Sequence, residues 1–181
     1  MRREEELLEK VREWQTKAGY ETDPFNKYVS IFIAFNIFYN LYAKKLDGNL
    51  QTDFSQGDSH RAITAIRLAK PDELLKSIEP DLREYVSIIP VFREEYWPRQ
   101  NSKNNVPIAQ ALKASFRDGE ARMTIEMLTK WLYKVRCNLV HGEKSYNDAS
   151  QKRLVEISSV LLDGILRHLV SQYEQVYERR A

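Results

Sequence analysis

The chain is predicted to be all-α, a helical bundle, on three observations. Apolar residues recur with helical spacing almost throughout its 181 residues, strand-like alternation is nearly absent, and the closely spaced turns of a β-sandwich are missing. The length suits one domain, with 43% hydrophobic content for a core and a net charge of only +2. That balance argues against a strongly basic nucleic-acid coat, though not against a local basic pocket. A single cysteine, Cys137, excludes an internal disulfide, and with three scattered histidines it cannot build a Cys/His metal cluster.

The elements follow in order. Residues 2–17 form a first helix with Leu7, Leu8, Val11 and Trp14 on one face and Gly19 as its stop. Its Glu4, Glu5 and Glu6, among arginines, read as a solvated face, and the segment has no apolar run of a signal peptide. The second helix starts with Asp23 as N-cap and Pro24 in the first helical position and runs to about Lys45. Phe25, Tyr28, Val29, Phe32, Phe35, Tyr39 and Tyr42 make it apolar around most of its circumference, as expected of a central bundle helix. Its most hydrophobic part, Ile31–Ala43, is too short for a membrane span and carries Asn36 and Asn40. No membrane segment and a cytoplasmic location are expected.

Gly48–Gly57 reads as a polar loop, after which Asp58 caps a short helix ending near Lys70. Prolines at 71, 80, 90, 98 and 107 are expected to chop the middle into short pieces, so that residues 58–117 form an insertion of short helices. Within it, Pro98–Asn105 is the best exposed-loop candidate and Arg99–Asn105 a mildly basic one. Pro107 opens a helix to Phe116, broken by Asp118-Gly119. Glu120–Val140 is amphipathic, with Ile125, Leu128, Leu132, Val135 and Leu139 in register. After a turn at Gly142–Asn147, Asp148 caps a long last helix through Val155, Val160, Leu161, Ile165, Leu169 and Tyr173. The simplest architecture is one domain over 1–181: an up-and-down core of three to four long helices, principally 25–45, 120–140 and 149–175, with residues 1–20 as an N-terminal helix.

The segment Trp131–Lys144, WLYKVRCNLVHGEK, carries the functional signal. It sets Arg136, permanently charged, five residues ahead of His141, which titrates near neutrality. The helix is expected to stop at Gly142, beside this pair. On an ideal helix residues five apart point about 140° away from each other. Either the last turn unwinds at Gly142, or two copies of the segment meet across a symmetric interface. Read without further context, the pair is a helix-end arginine and a histidine favoured by the helix dipole. Lys134, Asn138 and His141 share one face, and Arg136 shares another with Tyr133 and Val140. Asn138 reads as a surface residue or helix-end polar group, or as a site residue, and Cys137 as a packed side chain. Lys144 and Tyr146 are loop candidates for substrate contact. Asn36 and Tyr39, one turn apart, are candidates to brace the Arg136–His141 loop, or to satisfy buried backbone groups. His60 and His168 read as structural or exposed.

This Arg136-to-His141 run, ending a helix and followed by Gly142 and a last long helix, resembles the Arg-x4–6-His signature of the HEPN superfamily. VRCNLVHGEK is similar to the standalone, Apea-like members, and the helix with Phe35, Asn36 and Tyr39 resembles their first core helix. The likeness covers residues 131–144 and, more loosely, 25–45; the middle third contributes nothing. It implies a helical bundle that dimerises and, in many members, a metal-independent ribonuclease without a cofactor, acting in toxin–antitoxin or phage-defence systems. RNA, a second copy of the chain and a nucleotidyltransferase-like antitoxin are the implied partners. Arg136 and His141 take the catalytic positions. Where the family commonly has a polar residue after the arginine, this chain has Cys137, with Asn138 one step later. The implied reaction is attack of a 2′-hydroxyl on the adjacent phosphorus, with His141 moving protons and Arg136 holding the non-bridging oxygens. A non-catalytic nucleotide-binding or protein-interaction module, or a helical dimer scaffold, are the alternative readings.

Overall fold

A computed structural model describes residues 2–46, 57–89, 99–140 and 148–178. Seven α-helices form an all-α bundle with no strand among the described residues: α1 (Arg2–Tyr20), α2 (Pro24–Leu46), α3 (Asp58–Ile66), α4 (Pro71–Ile88), α5 (Arg99–Arg117), α6 (Ala121–Val140) and α7 (Ala149–Tyr173), which continues as a π-helical turn, Glu174–Glu178.

Local chemistry sets several of the helix ends. The Asp23 carboxylate accepts the Asn26 N–H at 2.9 Å, capping α2 ahead of Pro24. Asp148 accepts the Ser150 and Gln151 N–H groups at 2.8 and 3.2 Å and caps α7. After α5, Gly119 has φ +74°, Gly119 N–H reaches the Phe116 carbonyl and Glu120 N–H the Ser115 carbonyl. These two bonds close a Schellman motif, which needs the left-handed conformation that glycine adopts without strain. α1 runs past its expected stop, with Gly19 inside the helix, and ends at Tyr20. Asp58 is the first residue of α3 and not its cap; Gly57 holds that position without a side-chain bond.

Pro71 opens a new helix as expected, but Pro80 and Pro107 do not divide theirs. Pro80 lies inside an 18-residue α4 and Pro107 inside a 19-residue α5, so Arg99–Asn105 is helical and not a loop. Pro80 and Lys76, whose carbonyl loses its partner, are both on the exposed side of α4. Water can take that carbonyl, while Leu74, Ile78, Leu82 and Tyr85 bury the other side. Gly48–Gln56, Pro90 and Pro98 lie outside the described residues.

The core is organised around α2. α1 and α7 make its most extensive contacts, with α3 and α6 completing the surround, while α4 packs on α7 and α5 on α6. Phe38 and Tyr42 of α2 meet Tyr173 of α7 edge-on, at centroid distances of 5.9 and 6.5 Å. Two apolar residues expected inside are not: Val160 is 43% exposed and Val29 is also exposed. α1 is tied down by polar contacts, with Glu4 bound to Lys45 at 2.9 Å and Gln15 to Asp163 at 3.0 Å, so Glu4 is not merely solvated. Between α4 and α7 the Ser158 hydroxyl donates to the Leu154 carbonyl at 2.7 Å. The buried Tyr85 hydroxyl must therefore donate to Ser158 Oγ, also at 2.7 Å. Among the described residues no helix is long and apolar enough to cross a membrane.

Two glycine substitutions should separate two kinds of cost. A Cβ on Gly119 meets nothing within 4 Å, so Gly119→Ala should lose about 1 kcal/mol from backbone strain alone. A Cβ on Gly164 would sit 2.9 Å from Ile78 Cγ2 where α4 crosses α7. Gly164→Ala should lose about 1 kcal/mol net, overpacking outweighing the gain in helix propensity. Denaturant titrations should find the Gly164 cost removed in an Ile78→Ala background and the Gly119 cost unchanged there.

His168 gives the bundle a pH dependence. Its Nε2 accepts the Lys70 backbone N–H at 3.3 Å, which requires the unprotonated ring nitrogen. Burial lowers its pKa below the ordinary histidine value; Glu73 opposes this in part and Lys70 adds a smaller lowering. Because the folded value is the depressed one, its contribution is full above about pH 6.5 and is lost as pH falls through the folded value. His168→Gln should flatten stability against pH in that range, as read from urea midpoints at pH 7.5 and 5.

Candidate functional site

Arg136 occupies the last turns of α6, half-buried, and its place is fixed from α2. The fully buried Tyr28 hydroxyl donates to the Leu132 carbonyl at 2.5 Å, one turn ahead of Arg136. Phe32, one turn on from Tyr28, takes Tyr133 edge-on at 5.8 Å and lies under the Arg136 guanidinium at 5.6 Å. The guanidinium is thus held over an aromatic face, and its helix register is pinned by a buried hydrogen bond.

Beside it, Asn36 and Tyr39 of α2 are in direct contact: the Asn36 amide donates to the Tyr39 hydroxyl. Asn40 donates to the Asn36 carbonyl at 2.9 Å and to its side-chain oxygen at 3.1 Å. These bonds satisfy a polar stripe on a mostly apolar helix. Asn138 is buried, at 8% exposure, so it is not a surface residue; Cys137 is half-buried. His141, Lys144 and Tyr146 lie outside the described residues, as does the turn that Asn36 and Tyr39 were expected to brace.

Packing adds Arg61 and Asp58, which the sequence did not mark for this site. α3 lies against both α2 and α6. Arg61, its side chain only 14% exposed and its Nε buried, forms an ion pair with the 39% exposed Asp58. Both Arg61 and Arg136 act on the phenols of Tyr39 and Tyr133. Burial raises the pKa of each above its ordinary value, Asp58 adds to this, and the two arginines oppose it. Both phenols therefore stay protonated at neutral pH and serve as hydrogen-bond donors, not bases. Among the described residues, the charges acting on these two phenols come from two guanidiniums and one carboxylate. Such a set of donors suits an oxygen-rich anion. Among the described residues no three His, Cys, Asp or Glu side chains gather to hold a metal ion.

Nothing local in the sequence singled out Arg61, and Asp58 read only as the cap of a short helix. Tyr133 was legible only as a neighbour of Arg136 on one helical stripe. No protein-family model, curated protein or solved structure matches the chain.

The buried phenols give the site an alkaline limit. The Tyr28 pKa lies well above its ordinary value, chiefly through burial, and that of Tyr39 is raised for the same reason. Groups whose folded pKa is raised contribute fully below about pH 10, and their contribution is lost as pH rises beyond it. Tyr28→Phe should cost about 1 kcal/mol at pH 7 for the lost bond to Leu132. It should also reduce the fall in stability between pH 10 and 11, measured by guanidinium titration.

Proposed function

We propose that the chain is a metal-independent endoribonuclease of the HEPN type, cleaving single-stranded RNA as a toxin or defence effector. The observation that carries this reading is Arg136, held half-buried over Phe32 near the end of α6 amid polar and cationic groups, five residues before His141. An arginine fixed in this way offers forked donors to the non-bridging oxygens of a phosphodiester without reorganising during the reaction.

In the proposed reaction the 2′-hydroxyl oxygen attacks the adjacent phosphorus and its proton is taken up. The bond to the 5′-oxygen breaks and that oxygen receives a proton, leaving a 2′,3′-cyclic phosphate. His141 moves these protons; a position following the C-terminal end of α6 favours its imidazolium and hence the acid role. Arg136 stabilises the extra negative charge on the phosphorane. The two residues belong to a symmetric dimer in which each Arg136 faces the partner subunit's His141 across one cleft, since five residues of helix turn them about 140° apart within one chain.

Purified protein should cleave single-stranded RNA in excess EDTA, leave 2′,3′-cyclic or 3′-phosphate ends, and spare DNA. Arg136→Ala and His141→Ala should each remove most of the activity. Arg136→Ala should also cost about 1 kcal/mol of stability for the lost contact with Phe32, while His141→Ala is neutral within about 0.5 kcal/mol. Mixing the two inactive variants should restore part of the activity, because one of the two composite sites in a mixed dimer is intact. Activity that requires added Mg²⁺ or Mn²⁺ would rule out the mechanism. Oligonucleotide binding with no cleavage would point instead to a non-catalytic nucleotide-binding module.

A further inference from the structure

Every arginine of α4 and α7 is ion-paired: Arg83 with Glu79, Arg153 with Glu84 and Glu156, and Arg167 with Asp163. The C-terminal part of α6 is built differently. Beyond Glu126 it carries Lys130, Lys134 and Arg136 and no carboxylate. α2, which meets it through Phe32 and Tyr133, has no Asp or Glu from Pro24 to Leu46. Lys130 and Arg136 are half-buried and form no ion pair among the described residues. The carboxylate that acts on Tyr133, Asp58 of α3, is paired with Arg61. The helix dipole favours cations only in the last turn, whereas Lys130 lies well before Val140, where α6 ends.

Tyr133 stands between the two cations, one turn after Lys130 and one turn before Arg136, so the three side chains neighbour one another along α6. Its ring meets Phe32 edge-on, its one ring contact among the described residues, and stays half-exposed. Lys130 and Arg136 are about 9 Å apart along the helix axis, far enough to serve different phosphates. We infer that Tyr133 and Lys130 extend the site at Arg136 into a platform for one nucleic-acid strand. An unpaired base stacks on Tyr133, and the phosphates on either side of it are held by Arg136 and Lys130. The inference rests on the nucleic-acid reading of Arg136 and adds to it why the substrate is a single strand. A base inside a duplex is covered on both faces, whereas an unpaired one can turn out onto a protein ring. Every base has a π-face, so the platform selects strandedness and not sequence.

The test uses the full chain and a 12-mer of 2′-O-methyl RNA, in which the attacking hydroxyl is blocked. A central 2-aminopurine reports stacking as fluorescence quenching. Wild type should quench the probe at saturation and bind it about tenfold more tightly than the same strand in a duplex. Tyr133→Ala should abolish most of the quenching and weaken single-strand binding about tenfold, leaving duplex binding unchanged. Tyr133→Phe, which keeps the ring, should keep both properties. If Tyr133→Ala does not fold, Tyr133→Leu, which fills the space without a ring, takes its place. Lys130→Gln should lower the slope of log Kd against log salt by about 0.7, the release for one lost phosphate contact, with quenching retained. Absence of binding, equal affinity for single strand and duplex, quenching that survives the loss of the ring, or an unchanged slope in Lys130→Gln would overturn the inference. RNA cleavage by wild type reports separately on the nuclease. Cleavage with binding independent of Tyr133 and Lys130 rejects the platform alone, whereas platform-dependent binding without cleavage rejects the nuclease and keeps the platform.

Discussion

The constraint on which this structure depends is the apolarity of α2 on nearly every side. Tyr28, Ile31, Phe32, Ala34, Phe35, Phe38, Tyr39, Leu41 and Tyr42 are all buried, and no single neighbour can cover residues that point in so many directions. Four helices therefore gather on α2, each contributing a different surface. α7 supplies Tyr173 against Phe38 and Tyr42, and α6 brings Tyr133 and Arg136 onto Phe32. The candidate site is a by-product of that enclosure, since α3 and α6 both pack on the helix that carries Asn36, Tyr39 and Asn40.

Packing and chemistry share the same residues here. Tyr28 fills the core and fixes the register of α6; Phe32 is a buried ring and also the face on which Arg136 rests. Site residues of this kind gain precision because their positions are set by side chains that cannot move without opening the core. The corresponding cost is electrostatic. Arg61 is deeply placed and paired with Asp58, and both arginines and this carboxylate act on the phenols of Tyr39 and Tyr133.

Much of the fold could be read from local pattern. Asp23 before Pro24, Asp148 before Ala149 and Gly119 after Arg117 set helix ends by bonds made within a few residues, so their identities were sufficient. Pro80 and Pro107 misled because a proline's effect depends on which side of the helix it faces. Exposed, as both are, each removes one N–H without disturbing the buried stripe. Val160 fits the apolar spacing of α7 yet faces outward, because the face that α7 buries is chosen by α2 and α4 and not by α7 itself.

The sequence by itself determined the all-α class, the run of seven helical segments apart from the two that prolines seemed to divide, and Arg136 at the end of an amphipathic helix. It determined these because helical period, caps and stops are properties of neighbours along the chain. Only the tertiary structure decided that Phe32 carries Arg136 and that α3 lies against both α2 and α6. Those contacts depend on the rotation and offset of α3 and α6 against α2. Such quantities are set by how large side chains from distant segments fit together, and no local spacing encodes them.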